Sequence, residues 1–380
     1  DSEGAELMTW FEQLTGFEET SADRVRAQLT IAGDTVTSRV NGQSFRCGSL
    51  TTPSLASLRT ACAHDRQGST NRGMGSLTVR QVVADVSDLH ADPANAGAVF
   101  QVASQFNLLE MISPQVTPEA GVGIYENDHT QGPRCAIAAG AGTIYRNYFV
   151  HVPGADTGVV GQSATHQLDC LADLGHALGN ANAQLWTMRN GYALASSEGL
   201  RKISQRLGAA PDTAIDQLRQ ALRIGIQQET QVTIGNAQHT VTQAYCSALP
   251  VAYSEADPAL WERFARLVLE AAYEATLCTA ILQRLKTGNR SVFLTLLGGG
   301  AFGNDLAWIV ESLARSLRLY RDDPAAPHHP HRRRGDRQPS HPSPRHRVPN
   351  PRRVLLMNPL IVGLARSVRS QSHPNVSEIL

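Results

Sequence analysis

The chain has 380 residues, 42% of them hydrophobic and 18% charged, so it can form one large domain or two smaller ones around a sizeable core. Its 34 basic and 34 acidic residues give a net charge of +0, which disfavours a nucleic-acid binder or an acidic protein as a whole. No apolar run approaches the roughly 20 residues of a membrane span, and the acidic start lacks the apolar core of a signal peptide. We therefore expect a soluble intracellular protein, cytoplasmic or nuclear, without membrane association.

The six cysteines are scattered along the chain, and none forms a C-x-x-C pair. This spacing disfavours a zinc site or a redox motif. Scattered cysteines in a chain of this size indicate buried thiols in a reducing compartment. We therefore expect neither a metal nor a cofactor.

Residues 1–75 predict a small N-terminal α+β appendage. Its elements are an amphipathic stretch, two alternating strand-like segments, a short helix and a polar, glycine-rich linker, at residues 8–17, 25–31, 35–40, 53–63 and 64–75.

Residues 76–321 alternate strand and helix signals, which predicts an α/β fold. The strand candidates are residues 77–86, 98–103, 143–152, 231–234, 239–249 and 292–297. A mostly helical insert is predicted at about residues 153–230. Asp257 followed by Pro258 is typical of a helix start, and apolar spacing predicts that this helix continues to Gly288.

Residues 322–380 break this pattern, because Pro, His, Arg and Ser dominate residues 324–353. Such a composition cannot bury a core, so a disordered tail is predicted. A basic tail is compatible with binding nucleic acid or acidic partners, and the alternative is disorder without a partner. A shifted reading frame is a further hypothesis, since the α/β pattern still requires a closing strand.

A glycine loop with the sequence Gly298-Gly299-Gly300-Ala301-Phe302-Gly303-Asn304 lies between an apolar run and a helical segment at residues 306–319. A strand, glycine loop and helix in this order direct backbone N–H groups at a phosphate. No lysine follows the glycines as it would in a Walker motif, which disfavours a P-loop ATPase.

Taken with four earlier segments, this loop resembles the macrodomain superfamily of ADP-ribose-binding modules. The matching segments, in the order of the family, are Ala-Asp-Val-Ser at 84–87, Val-Ala-Ser-Gln-Phe-Asn at 102–107, Gln-Gly-Pro-Arg-Cys-Ala-Ile at 131–137, Leu-Pro-Val-Ala-Tyr at 249–253 and Gly-Gly-Ala-Phe-Gly-Asn at 299–304. The Gly-Gly-Gly loop is similar to the poly(ADP-ribose) glycohydrolase branch. However, no Gln-Glu-Glu run follows the first glycine-rich segment. The resemblance covers roughly residues 76–321 and implies a three-layer mixed sheet with helices on both faces.

The resemblance implies one ligand, ADP-ribose or an ADP-ribosylated protein. Asp85 is expected to accept a hydrogen bond from the adenine amine, and Asn107 to face the distal ribose. Thr130, Gln131 and Gly132 would bind the diphosphate at a helix N-terminus. The loop at 298–304 would close over the other side, with Phe302 against a ribose or the adenine. The alternatives are a helix cap at Asp85, a turn at Asn107 and ordinary turns at the glycines. Arg146 and Asn147 either reach the ligand or shape the surface beside an aromatic strand.

Hydrolysis at the distal ribose would require a proton donor or a carboxylate base. The candidates are Glu110, Glu126 and Asp128, which lie between the Asn107 segment and the phosphate-binding helix. The alternative for Asp128 is a loop residue without a role. The sequence thus predicts ADP-ribose binding with hydrolysis. The alternatives are a non-catalytic reader module and an interaction protein that acts through its basic tail.

Overall fold

The computed structural model describes residues 8–67, 77–156, 158–320 and 361–366 of the chain. The strands are β1 (Leu29–Ala32), β2 (Thr35–Ser38), β3 (Ser44–Arg46), β4 (Ser49–Thr51), β5 (Thr78–Val83), β6 (Val99–Ser104), β7 (Trp186–Arg189), β8 (Tyr192–Ala195), β9 (Gly225–Gln231), β10 (Thr240–Ser247), β11 (Ser291–Thr295) and β12 (Ile361–Arg366). The helices are α1 (Trp10–Thr15), α2 (Ala22–Gln28), α3 (Leu55–Gln67), α4 (Val86–Ala91), α5 (Gln131–Ala138), α6 (Gly140–Tyr148), α7 (Ala172–Leu178), α8 (Ser197–Ala209), α9 (Asp212–Ala221), α10 (Pro258–Thr287) and α11 (Leu306–Leu319).

A mixed sheet forms the middle layer of the fold, with strand order β4-β9-β10-β6-β11-β12-β5 among the described residues. The strands from β10 to β5 run parallel, and β9 and β4 add an antiparallel edge. The predicted α/β class is confirmed.

Helices cover both faces of this sheet, as the central strand β6 makes clear. The ring of Phe100 stacks on His90 of α4 with 3.8 Å between centroids. The next residue, Gln101, donates from Nε2 to the Thr276 hydroxyl of α10 at 3.0 Å. Because successive strand residues point to opposite faces, α4 and α10 lie on opposite sides of the sheet.

The long helix α10 has the ends that the sequence predicts. Asp257 is its N-cap and accepts from the Ala259 amide at 3.0 Å, and Gly288 ends it in the left-handed conformation. Between these caps Trp261, Phe264 and most other apolar side chains are buried against the sheet and the neighbouring helices.

Residues 8–67 pack against the rest of the chain. The strand β4 pairs antiparallel with β9 at the edge of the main sheet, and Arg59 of α3 binds Glu274 of α10. Glu19 accepts hydrogen bonds from the Val122 and Gly123 amides at 2.9 and 2.6 Å. The segment predicted as a strand at 25–31 begins as helix α2, because the Ser21 side chain caps the Arg24 amide. The predicted helix at 53–63 is confirmed as α3, and residues 68–75 of the predicted linker lie outside the described residues.

The strand predicted at residues 143–152 is wrong, because residues 140–148 form the helix α6. This helix is buried nearly all round, and its β-branched and aromatic residues are also typical of a buried strand. Two glycines allow the close packing, since a Cβ at Gly140 would lie 2.6 Å from Trp10 and one at Gly142 would lie 2.7 Å from Thr230. The predicted helical insert contains α7 to α9 and the hairpin β7–β8, but its last residues, from Gly225, belong to strand β9.

The prediction of a disordered tail over residues 322–380 is wrong at residues 361–366, which form a strand. This strand, β12, pairs in parallel with β11 on one side and with β5 on the other. It therefore supplies the strand that the α/β pattern requires. The rest of the predicted tail lies outside the described residues, and the shifted reading frame stays a hypothesis about the transcript.

All six cysteines are buried and free, as expected. None of the helices in the described part of the chain has the length and apolar character that a membrane crossing needs.

Candidate functional site

A cavity of about 610 Å³ opens where the parallel strands end. Its wall takes residues from the carboxyl ends of β5, β6, β10 and β11, among them Asp85, Ser104, Ala248 and Leu297. In open α/β sheets this edge is where ligands bind, because the loops that follow the strands converge there.

The glycine loop forms one wall of the cavity and is held as a closed turn. The Asn304 amide donates to the Gly298 carbonyl at 3.0 Å, and its side chain donates to the Leu249 carbonyl at 2.8 Å. Gly298 has a φ of +76°, and a Cβ there would collide with Ala248. A Cβ at Gly300 would meet nothing within 4 Å, so the loop presents bare backbone to open space.

The N-terminus of α5 forms a second wall. Thr130, Gln131 and Gly132 line the cavity. The Gln131 side chain is used by the fold, since it accepts from the Ala103 amide and donates to the Gln101 carbonyl, both at 2.8 Å. This pairing anchors the start of α5 to the end of β6. Because Pro133 has no N–H and the Arg134 amide bonds the Thr130 carbonyl, the N–H groups of Gln131 and Gly132 are those of the first turn that a ligand can use.

Glu110 places a buried carboxyl group at the base of the cavity. The side chain is 4% exposed, and its Oε1 atom has no hydrogen-bond partner among the described residues. Burial raises the pKa of this carboxyl well above its usual range, although the nearby Arg146 cation opposes the shift. Burial favours the protonated form of a carboxyl group, so Glu110 is suited to donate a proton.

Arg146 lies beneath Glu110 and does not reach the cavity. Its guanidinium sits 3.7 Å from the centroid of the Tyr245 ring, and its Nε donates to the Leu108 carbonyl at 3.1 Å. Asn147 is also buried and donates to the Pro118 carbonyl at 3.1 Å. The expectation that these two residues reach a ligand or shape the surface is therefore not met.

The remaining carboxylates divide into two groups. Asp85 and Asp128 line the cavity, although each also bonds a nearby backbone amide, of Ser87 at 2.8 Å and of Thr130 at 2.9 Å. Asp85 is thus both a cavity residue and the N-cap of α4. Glu126 does not line the cavity, because its carboxylate accepts from the Trp10 amide at 3.2 Å on the outside of the loop.

Asn107 does not face the cavity either. It is fully buried, with its amide nitrogen donating to Gln167 at 2.8 Å and its oxygen accepting from the Leu109 amide at 3.1 Å. Leu108 has a φ of +66°, and this left-handed turn directs Asn107 into the insert.

In the glycine loop, Gly303 lies just outside the cavity lining, while Gly298 to Phe302 and Asn304 line it.

Two tyrosines that sequence reasoning did not assign complete the lining. Tyr192, Tyr253 and Phe302 form a cluster with ring centroids 5.1 to 5.7 Å apart. Tyr192 also donates to the Met111 carbonyl at 2.7 Å, next to Glu110. The dipeptide Asn190-Gly191, a strong hairpin signal, could have predicted the turn that presents Tyr192.

No protein-family model matches the chain, and no curated protein matches it significantly. Among solved structures, it is similar to a mutant poly(ADP-ribose) glycohydrolase from Deinococcus radiodurans in complex with ADP-ribose, at 13% identity, 86% coverage of this chain, 90% of that chain and a TM-score of 0.42. A second structure of the glycohydrolase from Deinococcus radiodurans, also in complex with ADP-ribose, has 12% identity and a TM-score of 0.34. The match covers 73% of this chain and 83% of that chain. The poly(ADP-ribose) glycohydrolase from Thermomonospora curvata has 14% identity and a TM-score of 0.36. The match covers 77% of this chain and 84% of that chain. These identities and TM-scores are too low to assign a function, so the chemistry of the site is inferred from the residues that line the cavity.

Proposed function

We propose that this chain binds ADP-ribose in the cavity and hydrolyses an ADP-ribosyl bond at the distal ribose. The observation that carries the proposal is the buried Glu110 carboxyl group in the same cavity as two backbone segments suited to a diphosphate.

The size and lining of the cavity support a nucleotide ligand. Its volume of about 610 Å³ falls within the range of small-molecule sites, about 300 to 1,000 Å³. The start of α5 and the loop from Gly298 to Phe302 line the same cavity and both offer backbone N–H groups, which suit a phosphate. The aromatic cluster around Phe302 adds an apolar surface for a ribose or an adenine. Asp85 supplies an acceptor for an exocyclic amine.

Two carboxyl groups of the cavity, those of Glu110 and Asp128, account for the proposed reaction. Cleavage of the ribose C–O bond develops positive charge on the sugar and negative charge on the leaving oxygen. Glu110 donates its proton to that oxygen as the bond breaks. The carboxylate then left on Glu110, with Asp128 at the same cavity, stabilises the cationic sugar and takes a proton from the attacking water. Because Glu110 acts as an acid, the rate should fall at alkaline pH as its raised pKa is passed.

Two measurements test this proposal. Calorimetry with ADP-ribose tests binding, and no heat at millimolar ligand would reject it. Release of ADP-ribose from a modified protein tests hydrolysis. Glu110→Gln should still bind ADP-ribose but lose at least about 100-fold in release rate, the scale of general acid catalysis. The matched control is Glu126→Gln, on the same loop but outside the cavity, which should keep the wild-type rate. Binding without any release by the wild-type protein would identify a reader module.

ADP-ribosylated proteins are the partners we propose. The buried free cysteines support the intracellular location expected from the sequence. Nucleic-acid binding through the basic tail stays a prediction of the sequence.

A further inference from the structure

We infer that three side-chain amides of the insert and of the turn before Glu110 act as positioning residues for the Glu110 carboxyl group. They are Asn107, Gln167 and Asn190, none of which lines the cavity. This inference rests on the proposed role of Glu110 as the proton donor.

The three amides form one hydrogen-bonded chain. Asn107 Nδ2 donates to Gln167 Oε1 at 2.8 Å, and Gln167 Nε2 donates to Asn190 Oδ1 at 2.8 Å. Asn190 Nδ2 then donates to the carbonyl of Pro114 at 2.7 Å. At the other end, the Leu109 amide donates to Asn107 Oδ1 at 3.1 Å. The chain therefore ties both sides of the segment from 107 to 114, with Glu110 between its two ends.

The direction of this chain is fixed by its ends. A backbone N–H such as that of Leu109 can only donate, and a carbonyl such as that of Pro114 can only accept. Each amide between them must accept on one side and donate on the other, so a single arrangement satisfies all four bonds. Replacing any one amide by a carboxylate removes a donor, and no rotation of the other two restores it.

The segment needs such support because its backbone is in an unfavourable conformation. Leu108 has a φ of +66°, a left-handed conformation that is unfavourable for a non-glycine residue. Other residues of the insert add bonds to the same turn. The Phe106 amide donates to the Gly191 carbonyl at 3.0 Å, and Gln162 donates to the Asn107 carbonyl at 2.9 Å.

Holding the turn holds the carboxyl group. Glu110 follows directly after Leu109, and its own amide donates to the Tyr125 hydroxyl at 3.0 Å. Its Oε2 atom lies against Gly132 at the start of α5. If the turn loosens, the carboxyl group moves toward water and loses the burial that raises its pKa. Displacement of a catalytic group by about 1 Å can cost about 100-fold in rate.

The test uses Gln167→Glu and Asn190→Asp in the full chain, with Gln184→Glu as the control. Gln184 is an exposed amide of the same insert. Both test variants should lose about 10- to 100-fold in kcat for ADP-ribose release and keep the ADP-ribose Kd within about twofold. The descending alkaline limb of their pH–rate profiles should shift to lower pH. A simple loss of folded protein would lower the rate without moving that limb.

A direct measurement separates this inference from the proposed function. The Glu110 pKa is measured by carbon NMR of carboxyl-labelled glutamate, with the signal assigned by its absence in Glu110→Gln. The two test variants should lower that pKa, and Gln184→Glu should leave it unchanged. If the wild-type protein releases no ADP-ribose, the proposed function fails while the NMR result still decides the positioning role. An unchanged Glu110 pKa in the two variants would overturn the inference. If Gln167→Glu does not fold, the Glu110 pKa in Asn190→Asp decides the inference.

Discussion

Glu110 and Gly132 make a contact that only glycine permits. A Cβ on residue 132 would collide with both the Ala103 carbonyl and the Glu110 Oε2 atom. The carbonyl belongs to the end of β6, which cannot move without disturbing the sheet. The same glycine thus allows α5 to start close to the sheet and leaves room for the carboxyl group.

Gly132→Ala should therefore weaken both the fold and the site. Overpacking of this kind costs about 1 to 3 kcal/mol in the free energy of unfolding. We expect urea unfolding to show such a loss and calorimetry to show weaker ADP-ribose binding. Gly300→Ala is the control for stability, because a Cβ there meets nothing within 4 Å. Equal unfolding free energies for Gly132→Ala and the wild type would contradict this account.

His90 should make the stability of the protein depend on pH. The ring is fully buried against Phe100, bonds the Val86 carbonyl at 2.7 Å, and faces Gln243 at 3.1 Å. Burial lowers the pKa of His90 to about 4 from its ordinary 6.5, so the folded protein keeps the ring neutral. Between pH 4 and pH 6.5 the unfolded chain binds this proton more readily than the folded protein does. The free energy of unfolding should therefore fall by up to about 3 kcal/mol as the pH drops from 6.5 to 4.

The measurement is urea unfolding from pH 4 to 7.5 for the wild type and for His90→Gln. Glu110 and Glu19 have raised pKa values and act in the opposite direction, so the difference between the two proteins isolates His90. That difference should change with pH in the stated window and be constant above pH 7. A difference that does not vary with pH would rule out the buried neutral histidine as the cause.

The residue types of the site could be predicted from the sequence, but their directions could not. Polar residues directly after an apolar strand, such as Asp85 and Gln105, do line the cavity. Asn107 follows the same rule in sequence yet is turned away by the positive φ of Leu108. Nothing in the identity of a leucine signals that conformation. It is stabilised by hydrogen bonds from an insert that begins more than 40 residues later.

At the scale of elements, the ends of helices could be predicted more reliably than buried interiors. The residues Asp257, Pro258 and Gly288 mark the ends of α10 through local backbone chemistry. The sequence predicts a strand at residues 143–152 because β-branched and aromatic residues are common there, whereas α1 and β9 bury residues 140–148 as the helix α6. Those partners come from distant parts of the chain, so a local pattern carries no trace of them.

An ion-pair network joins α3, α9, α10 and α11 on the face of the sheet away from α4. Arg59 bonds Asp216 at 2.7 Å and Glu274 at 2.6 Å, and Arg315 bonds Glu274 at 3.0 Å. Glu274 is fully buried, so removing a cation leaves its charge poorly compensated. Arg59→Met should lower the free energy of unfolding by about 3 kcal/mol.

The control for this prediction is Lys202→Met on α8. Lys202 pairs with Glu198 at 2.7 Å, but both side chains are exposed. Exposed pairs of this kind contribute about 0.5 kcal/mol or less. Urea unfolding should therefore separate the two variants clearly. Similar losses for both would mean that the buried network is no stronger than a surface pair.

At the scale of the whole molecule, the main sheet contains strands from distant parts of the chain. The strand β12 comes from the last twenty residues of the chain and lies between β11 and β5. Among the described residues, β5 has no other strand neighbour. Asp85 lies two residues after the end of β5, so one wall of the cavity depends on a strand from the far end of the sequence.

Truncation of the chain tests this dependence. A protein that ends after Tyr320 lacks β12 and leaves the edges of β11 and β5 unpaired, which also favours aggregation. We expect a lower Tm and at least about tenfold weaker ADP-ribose binding, since β5 and Asp85 lose their hydrogen-bonded connection to the sheet and one lost interaction of about 1.4 kcal/mol has that effect. A protein that ends after Arg366 keeps the strand and should match the full chain in both measurements. If ending the chain after Tyr320 changes neither Tm nor binding, β12 is not a member of the sheet, and the wall that carries Asp85 must be held by the packing of α4 against α5 alone.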